Sequence, residues 1–140
     1  MEIIESYSTQ ETMEHARRLA ESIAPGSIVC LEGDLGTGKT VWAKGFALGL
    51  GITEPVVSPP FTIVHIYEGG RLPLYHFDVY RIEEPEEMDE IGYEEYFFGE
   101  GVCLIEWASQ IEELIPEGAV RIHIRKDPEK GDDYREITCS

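Results

Sequence analysis

Gly33-Asp34-Leu35-Gly36-Thr37-Gly38-Lys39-Thr40 is the stretch whose reading decides the fold. It fits the phosphate-binding pattern G-x-x-x-x-G-K-[ST] at every fixed position. Glycines let the backbone turn tightly and bring its N–H groups against phosphate oxygens with no Cβ in the way. Lys39 supplies a mobile positive charge for the β- and γ-phosphates, and the Thr40 hydroxyl is placed to ligate Mg²⁺. Gly36, inside the variable part, makes the loop more permissive still.

The flanks are those such a loop needs. Ser27-Ile28-Val29-Cys30-Leu31 is an apolar, β-branched-rich run of buried-strand length. Residues 41–50 contain no proline and end at Gly51, a natural helix C′ residue. Strand, glycine loop and helix follow in that order, so the helix N-terminus is aimed at an anion. The stretch reads as a nucleotide site.

The chain has 140 residues, 42% of them hydrophobic, enough for one domain with its own core. No apolar run reaches membrane-spanning length, and Met1-Glu2-Ile3-Ile4-Glu5 is not a signal peptide, so the expected location is the cytoplasm. Cys30, Cys103 and Cys139 form no C-x-x-C, and two of them fall in apolar strand candidates, where a buried thiol is the plain reading. The formal charge of −17 repels a phosphate backbone and disfavours autonomous nucleic-acid binding. It suits a protein partner with a basic face, or equally an acidic coat that serves only solubility.

Ser8-Thr9-Gln10-Glu11 is a capping box, with Ala16, Leu19, Ala20 and Ile23 behind it at helical spacing. Thr9 and Glu11 stand where a helix start could approach a base or ribose, although most caps do nothing of the kind. Ser58-Pro59-Pro60-Phe61-Thr62 must be extended, because adjacent prolines forbid a helix. It is either a plain connection or a loop that lines the γ-phosphate side. Residues 61–67 and 72–80 read as a β-hairpin around Glu68-Gly69-Gly70-Arg71. Alternation along its second strand puts His76, Asp78 and Tyr80 on one face, with Arg81 close enough to pair with Asp78. An acidic segment follows, for which a helix from about Pro85 is expected. Residues 120–126 and 134–139 form a terminal hairpin.

Val102-Cys103-Leu104-Ile105-Glu106-Trp107 is the second informative stretch: four apolar residues deliver a carboxylate to the C-terminal edge of a sheet. In P-loop enzymes an acid there holds Mg²⁺, directly or through water. The expected fold is thus α/β: a single P-loop NTPase-like domain over 1–140, its central, mostly parallel sheet flanked by helices and carrying added β-hairpins.

Taken together, the P-loop, Ser58-Pro59-Pro60-Phe61-Thr62, His76-Phe77-Asp78-Val79-Tyr80-Arg81 and Leu104-Ile105-Glu106-Trp107 resemble, in order and spacing, the TsaE (YjeE) family. The resemblance spans residues 8–116. It implies a small P-loop ATPase needed for threonylcarbamoyladenosine modification at tRNA position 37, acting with TsaB and TsaD and meeting tRNA only through that complex. It implies ATP or ADP and Mg²⁺ as cofactors, with Thr40 and Glu106 on the metal. Lys39, Asp78 and Glu106 would be catalytic. Thr9, Gly33, Asp34, Leu35, Gly36, Thr37, Gly38, Lys39, Thr40 and Val41 would bind nucleotide. Residues 58–62 would match a switch-like loop, but Pro60 replaces the threonine usual there. Two other classes use the same loop: a small-molecule kinase, which needs a lid and several arginines, and a nucleotide-dependent binding module with negligible turnover. A site with few arginines is expected to be a poor ATPase alone and to depend on a partner's cation.

Overall fold

Ile28, Val29, Cys30 and Leu31 are all buried, as are Val102 to Glu106, and unbroken burial on both faces is what a central parallel strand requires. The computed structural model describes residues 2–34, 36–56 and 64–140. Among these residues are seven strands: β1 (Glu2–Ser6), β2 (Ile28–Glu32), β3 (Val64–Tyr67), β4 (Leu74–Asp78), β5 (Val102–Glu106), β6 (Val120–Lys126) and β7 (Arg135–Cys139). They form one sheet in the order β1-β7-β6-β2-β5-β4-β3. The inner four, β6, β2, β5 and β4, are parallel, whereas β3, β7 and β1 pair antiparallel with their neighbours.

The expected hairpins form, but they are not additions to the sheet. β4 and β6 are inner strands of the sheet itself, so each hairpin has one limb inside and one at or near an edge. Strand β1 was not expected from the sequence. It pairs with β7 from Glu2↔Cys139 to Ser6↔Arg135 and closes that side.

Two helices cover one face: α1 (Thr9–Ser22) and α2 (Lys39–Gly49). Val29, Leu31, Val102 and Leu104 turn toward them, while Ile28, Cys30, Cys103 and Ile105 turn to the opposite face with Phe77 and Met88. Ser8 caps α1 by accepting the Glu11 N–H at 3.1 Å. The reciprocal bond falls one residue early, on the Tyr7 N–H, which donates to Glu11 Oε2 at 2.7 Å. Glu11 is therefore committed to the cap. Burial pushes the Cys30 thiol up to about 11 and the Cys103 thiol to about 12, the behaviour of inert core cysteines.

Gly45 and Gly49 let the two helices touch. A Cβ on Gly45 would lie 2.2 Å from the Met13 carbonyl oxygen, and one on Gly49 would lie 2.3 Å from that of Arg17. Both obstacles are backbone. Gly45→Ala is therefore expected to destabilise the fold by about 1–3 kcal/mol, the range for overpacking, despite alanine's better helix propensity. Urea unfolding of parent and variant measures this, and a variant of equal or greater stability would contradict the close helix contact.

The acidic segment departs from the expected single helix. It forms two short pieces, α3 (Glu87–Glu90) and α4 (Tyr93–Phe97), separated at Gly92, whose φ of 68° is left-handed. Glu87 is no solvated acid: its Oε2 accepts the N–H groups of Glu83 and Glu84, each at 2.8 Å. Those backbone bonds, first Glu84 and then Glu83, hold its carboxyl below the ordinary value. No helix among the described residues is long and apolar enough to cross a membrane.

Candidate nucleotide site

Strand β2 ends at Glu32 and α2 begins at Lys39, with Gly33, Asp34 and Gly36 to Gly38 among the loop residues between them. Thr37 closes the turn, donating its N–H and its hydroxyl to the Asp34 carbonyl at 3.2 and 2.7 Å. Gly36 and Gly38 have φ of 78° and 99°, conformations that L side chains rarely adopt. The first helical bond of α2 is Trp42 N–H to Gly38 O at 3.0 Å, so the N–H groups of Lys39, Thr40 and Val41 have no acceptor within the helix. Donors with no acceptor among the described residues and the positive end of the helix dipole meet at one point. Leu35 and residues 57–63, with Ser58, Pro60 and Thr62, lie outside the described residues.

In front of this point lies a cleft of about 550 Å³, lined by Gly36, Gly38, Lys39, Thr40, Val41, Asp78, Glu106, Trp107 and Arg135. Strands β4 and β5 deliver its acids. Asp78 and Glu106 are register partners, and the Val79 N–H donates to the Glu106 carbonyl at 3.2 Å. The sheet thus ends with two carboxylates side by side, facing the loop that carries Thr40. Hard oxygen donors of this kind suit Mg²⁺, and the loop's free amides and Lys39 suit a polyphosphate. The residues present fit both groups.

Of the expected nucleotide residues, Gly36, Gly38, Lys39, Thr40 and Val41 line the cleft, while Gly33, Asp34 and Thr37 build the loop behind it. Thr9 borders a smaller adjoining hollow with Thr12, Gly38, Val41, Asp133 and Arg135. The expected Asp78–Arg81 ion pair is not made among the described residues. Asp78 Oδ1 instead accepts the Tyr80 N–H at 3.0 Å, which steadies the carboxylate.

Three further residues bear on the site, and of these only Arg135 went unmarked in the sequence. Trp107 has φ 64°, the only non-glycine positive φ among the described residues, and strain of this sort gathers at functional sites. The Lys39 Nζ stands 4.0 Å from its ring centroid, and the Tyr80 ring packs on it at 4.9 Å. Arg135 donates from Nε to the Thr37 carbonyl at 2.6 Å and from Nη1 to the carbonyls of Asp132 and Tyr134. The terminal hairpin therefore clamps the loop: a Cβ on Gly33 would lie 2.7 Å from the Ile124 carbonyl oxygen, and one on Gly36 would lie 3.3 Å from Lys126 Nζ. His76 bonds through Nε2 to Glu106 Oε2 at 2.7 Å, both side chains being almost fully buried. Its Nδ1 is buried with no partner among the described residues, which ordinarily costs about 1–3 kcal/mol.

Residues 6–137 match the family model described as "Threonylcarbamoyl adenosine biosynthesis protein TsaE". The chain belongs to the TsaE family. It is 53% identical over 129 residues to the tRNA threonylcarbamoyladenosine biosynthesis protein TsaE of Bacillus subtilis, covering 92% of this chain and 78% of that one. The TsaE of Treponema pallidum is 44% identical over 135 residues, covering 96% and 97%. Among solved structures, the crystal structure of Bacillus subtilis YdiB matches with a TM-score of 0.83 and 46% identity, over 99% of this chain and 83% of that one. The TsaE match extends through the terminal hairpin, where the sequence alone carried little family signature. That hairpin is the element that holds the loop.

Proposed function

We propose that this TsaE-family chain is a Mg²⁺-dependent ATPase that serves tRNA threonylcarbamoyladenosine biosynthesis together with TsaB and TsaD. The observation that carries the reading is the single cleft in which Lys39, Thr40, Asp78 and Glu106 converge on the free amides of α2. The loop amides and Lys39 hold the phosphates of ATP. Thr40 and Glu106 hold Mg²⁺, which draws charge from the phosphate oxygens when bound. Asp78, steadied by the Tyr80 N–H and beside Glu106, orients the attacking water and accepts its proton. Thr9 and its hollow take the ribose side of the nucleotide.

Two observations set this reading above a kinase. Helix α4 does not form a lid, because Phe97 and Phe98 at its end line a cavity with Pro25, Gly26, Ser27 and Ile28, at the end of β2 away from the loop. Among the described residues the only arginine lining the cleft is Arg135, and its Nε and Nη1 are engaged with backbone carbonyls. Positive charge for the transferring phosphoryl group is thus scarce within the chain, and a partner's cation supplies it. Exposed acids at Glu83, Glu84, Glu86, Asp89 and Glu90 attract the basic face of that partner. The same overall charge, −17, keeps the chain off tRNA except through the complex.

The test is ATP turnover and tRNA modification with purified TsaB and TsaD across a salt series. The variant for comparison neutralises those exposed acids and spares Glu87, which caps backbone N–H groups. Turnover is expected to be low for the lone chain, to rise with the partners, and to lose stimulation with salt and in the variant. Full activity of the lone chain, or stimulation indifferent to salt and to the neutralised acids, would contradict partner dependence.

A further inference from the structure

We propose that His76 is a positioning residue for Glu106, fixing one carboxylate oxygen so that the other is presented to Mg²⁺ in the cleft. The inference rests on the Mg²⁺-nucleotide reading of the site given above.

The sheet geometry sets up the contact. In the parallel register His76 lies beside Leu104 and Asp78 beside Glu106, so the four side chains share one face. His76 reaches diagonally along that face and donates from Nε2 to Glu106 Oε2. Asp78 occupies the position directly beside the same carboxylate but lines the open cleft. One neighbour of Glu106 therefore faces outward, and the other holds it from below.

The other buried polar side chains show why this is more than a satisfied core histidine. Ser6 pairs with Thr12, and the Thr37 hydroxyl with a backbone carbonyl of its own loop. His76 alone among the described side chains leaves a buried polar atom, Nδ1, without a partner. A site that needed only to be filled would take a leucine, which has no such atom to strand. What histidine provides there, and leucine does not, is the Nε2–H aimed at Oε2. The carboxylate is an acceptor only, so the ring proton in this bond belongs to Nε2.

A carboxylate with one oxygen fixed cannot rotate to share both with the solvent. A ligand set of Thr40 and Glu106 is thereby held ready before the metal arrives. Partners that orient a metal ligand in this way typically change metal affinity by about 10- to 100-fold when removed.

The experiment measures binding of a fluorescent ADP analogue while Mg²⁺ is varied, with an EDTA arm, in the parent and in His76→Leu, His76→Gln, His76→Asn and Glu106→Gln. His76→Leu is expected to raise the Mg²⁺ concentration for half-maximal binding by about tenfold or more, with affinity in EDTA unchanged. His76→Gln places an amide N–H near the Nε2 position and is expected to restore the parent's Mg²⁺ dependence. His76→Asn places its amide near Nδ1 and is expected to behave like leucine. In a Glu106→Gln background, His76→Leu should add nothing. A Mg²⁺-dependent parent matched by His76→Leu, or a full His76→Leu effect without the Glu106 charge, overturns the inference alone. Should the leucine variant fail to fold, equal Mg²⁺ dependence of the glutamine and asparagine variants overturns it. A parent indifferent to Mg²⁺ overturns the site reading and this inference with it.

Discussion

Lys39→Ala is expected to weaken binding of Mg²⁺·ATP by about 30- to 150-fold while leaving the chain folded. The figure is the loss of a hydrogen bond to a charged group, about 2–3 kcal/mol. Lys39 is 7% exposed, so its charge is placed by the fold rather than left to wander in solvent. Its Nζ rests over the Trp107 ring at the mouth of the cleft, within reach of a ligand seated on the loop. The structural loss is small, about 0.5–1 kcal/mol for the cation–π contact. Lys39→Met keeps most of the stem's packing and separates the two contributions. Calorimetric titration with ATP, alongside thermal unfolding, measures both. Unchanged affinity in a folded variant would remove the phosphate role of the loop.

Asp78→Asn is expected to lower ATP turnover by about a hundredfold or more, the range for losing a positioned general base, with nucleotide affinity close to the parent's. Asparagine keeps the oxygen that accepts the Tyr80 N–H, so the local turn survives and only the charge is removed. Glu106→Gln should differ in kind. It is nearly buried and bonded to His76, and its loss should appear first as a higher Mg²⁺ requirement. Turnover with TsaB and TsaD present, measured at saturating and limiting Mg²⁺, distinguishes the two. If Asp78→Asn hydrolyses ATP at the parent rate, water activation lies elsewhere.

What the sequence made legible here is what is local. The loop from Gly33 to Thr40 declares itself through glycine spacing, and β2 and β5 through unbroken apolar runs that only a doubly covered strand tolerates. Glu106 could be placed at a strand end, and Asp78 on one face of a strand, from the pattern around each. Their adjacency could not, because it follows from β4 pairing with β5 across an intervening acidic segment. The same holds for Arg135, which meets Thr37 from 98 positions away, and for the His76–Glu106 bond, 30 positions apart. No short pattern marks such contacts. Strand β1 was missed because Glu2-Ile3-Ile4-Glu5-Ser6 has no clean alternation, and it is held chiefly by the register with β7. The acidic helix was overextended because its composition favours one helix throughout, and a single left-handed glycine decides otherwise.

The central claim is that the cleft between the loop and the ends of β4 and β5 is a Mg²⁺-nucleotide site. Its most direct test is calorimetric titration of the unaltered chain with ATP, once with Mg²⁺ and once with EDTA. The expected result is one site per chain, markedly tighter with Mg²⁺, and weakened by about 30- to 150-fold on Lys39→Ala. Binding of equal strength in both arms, or binding as tight in Lys39→Ala as in the parent, would contradict it.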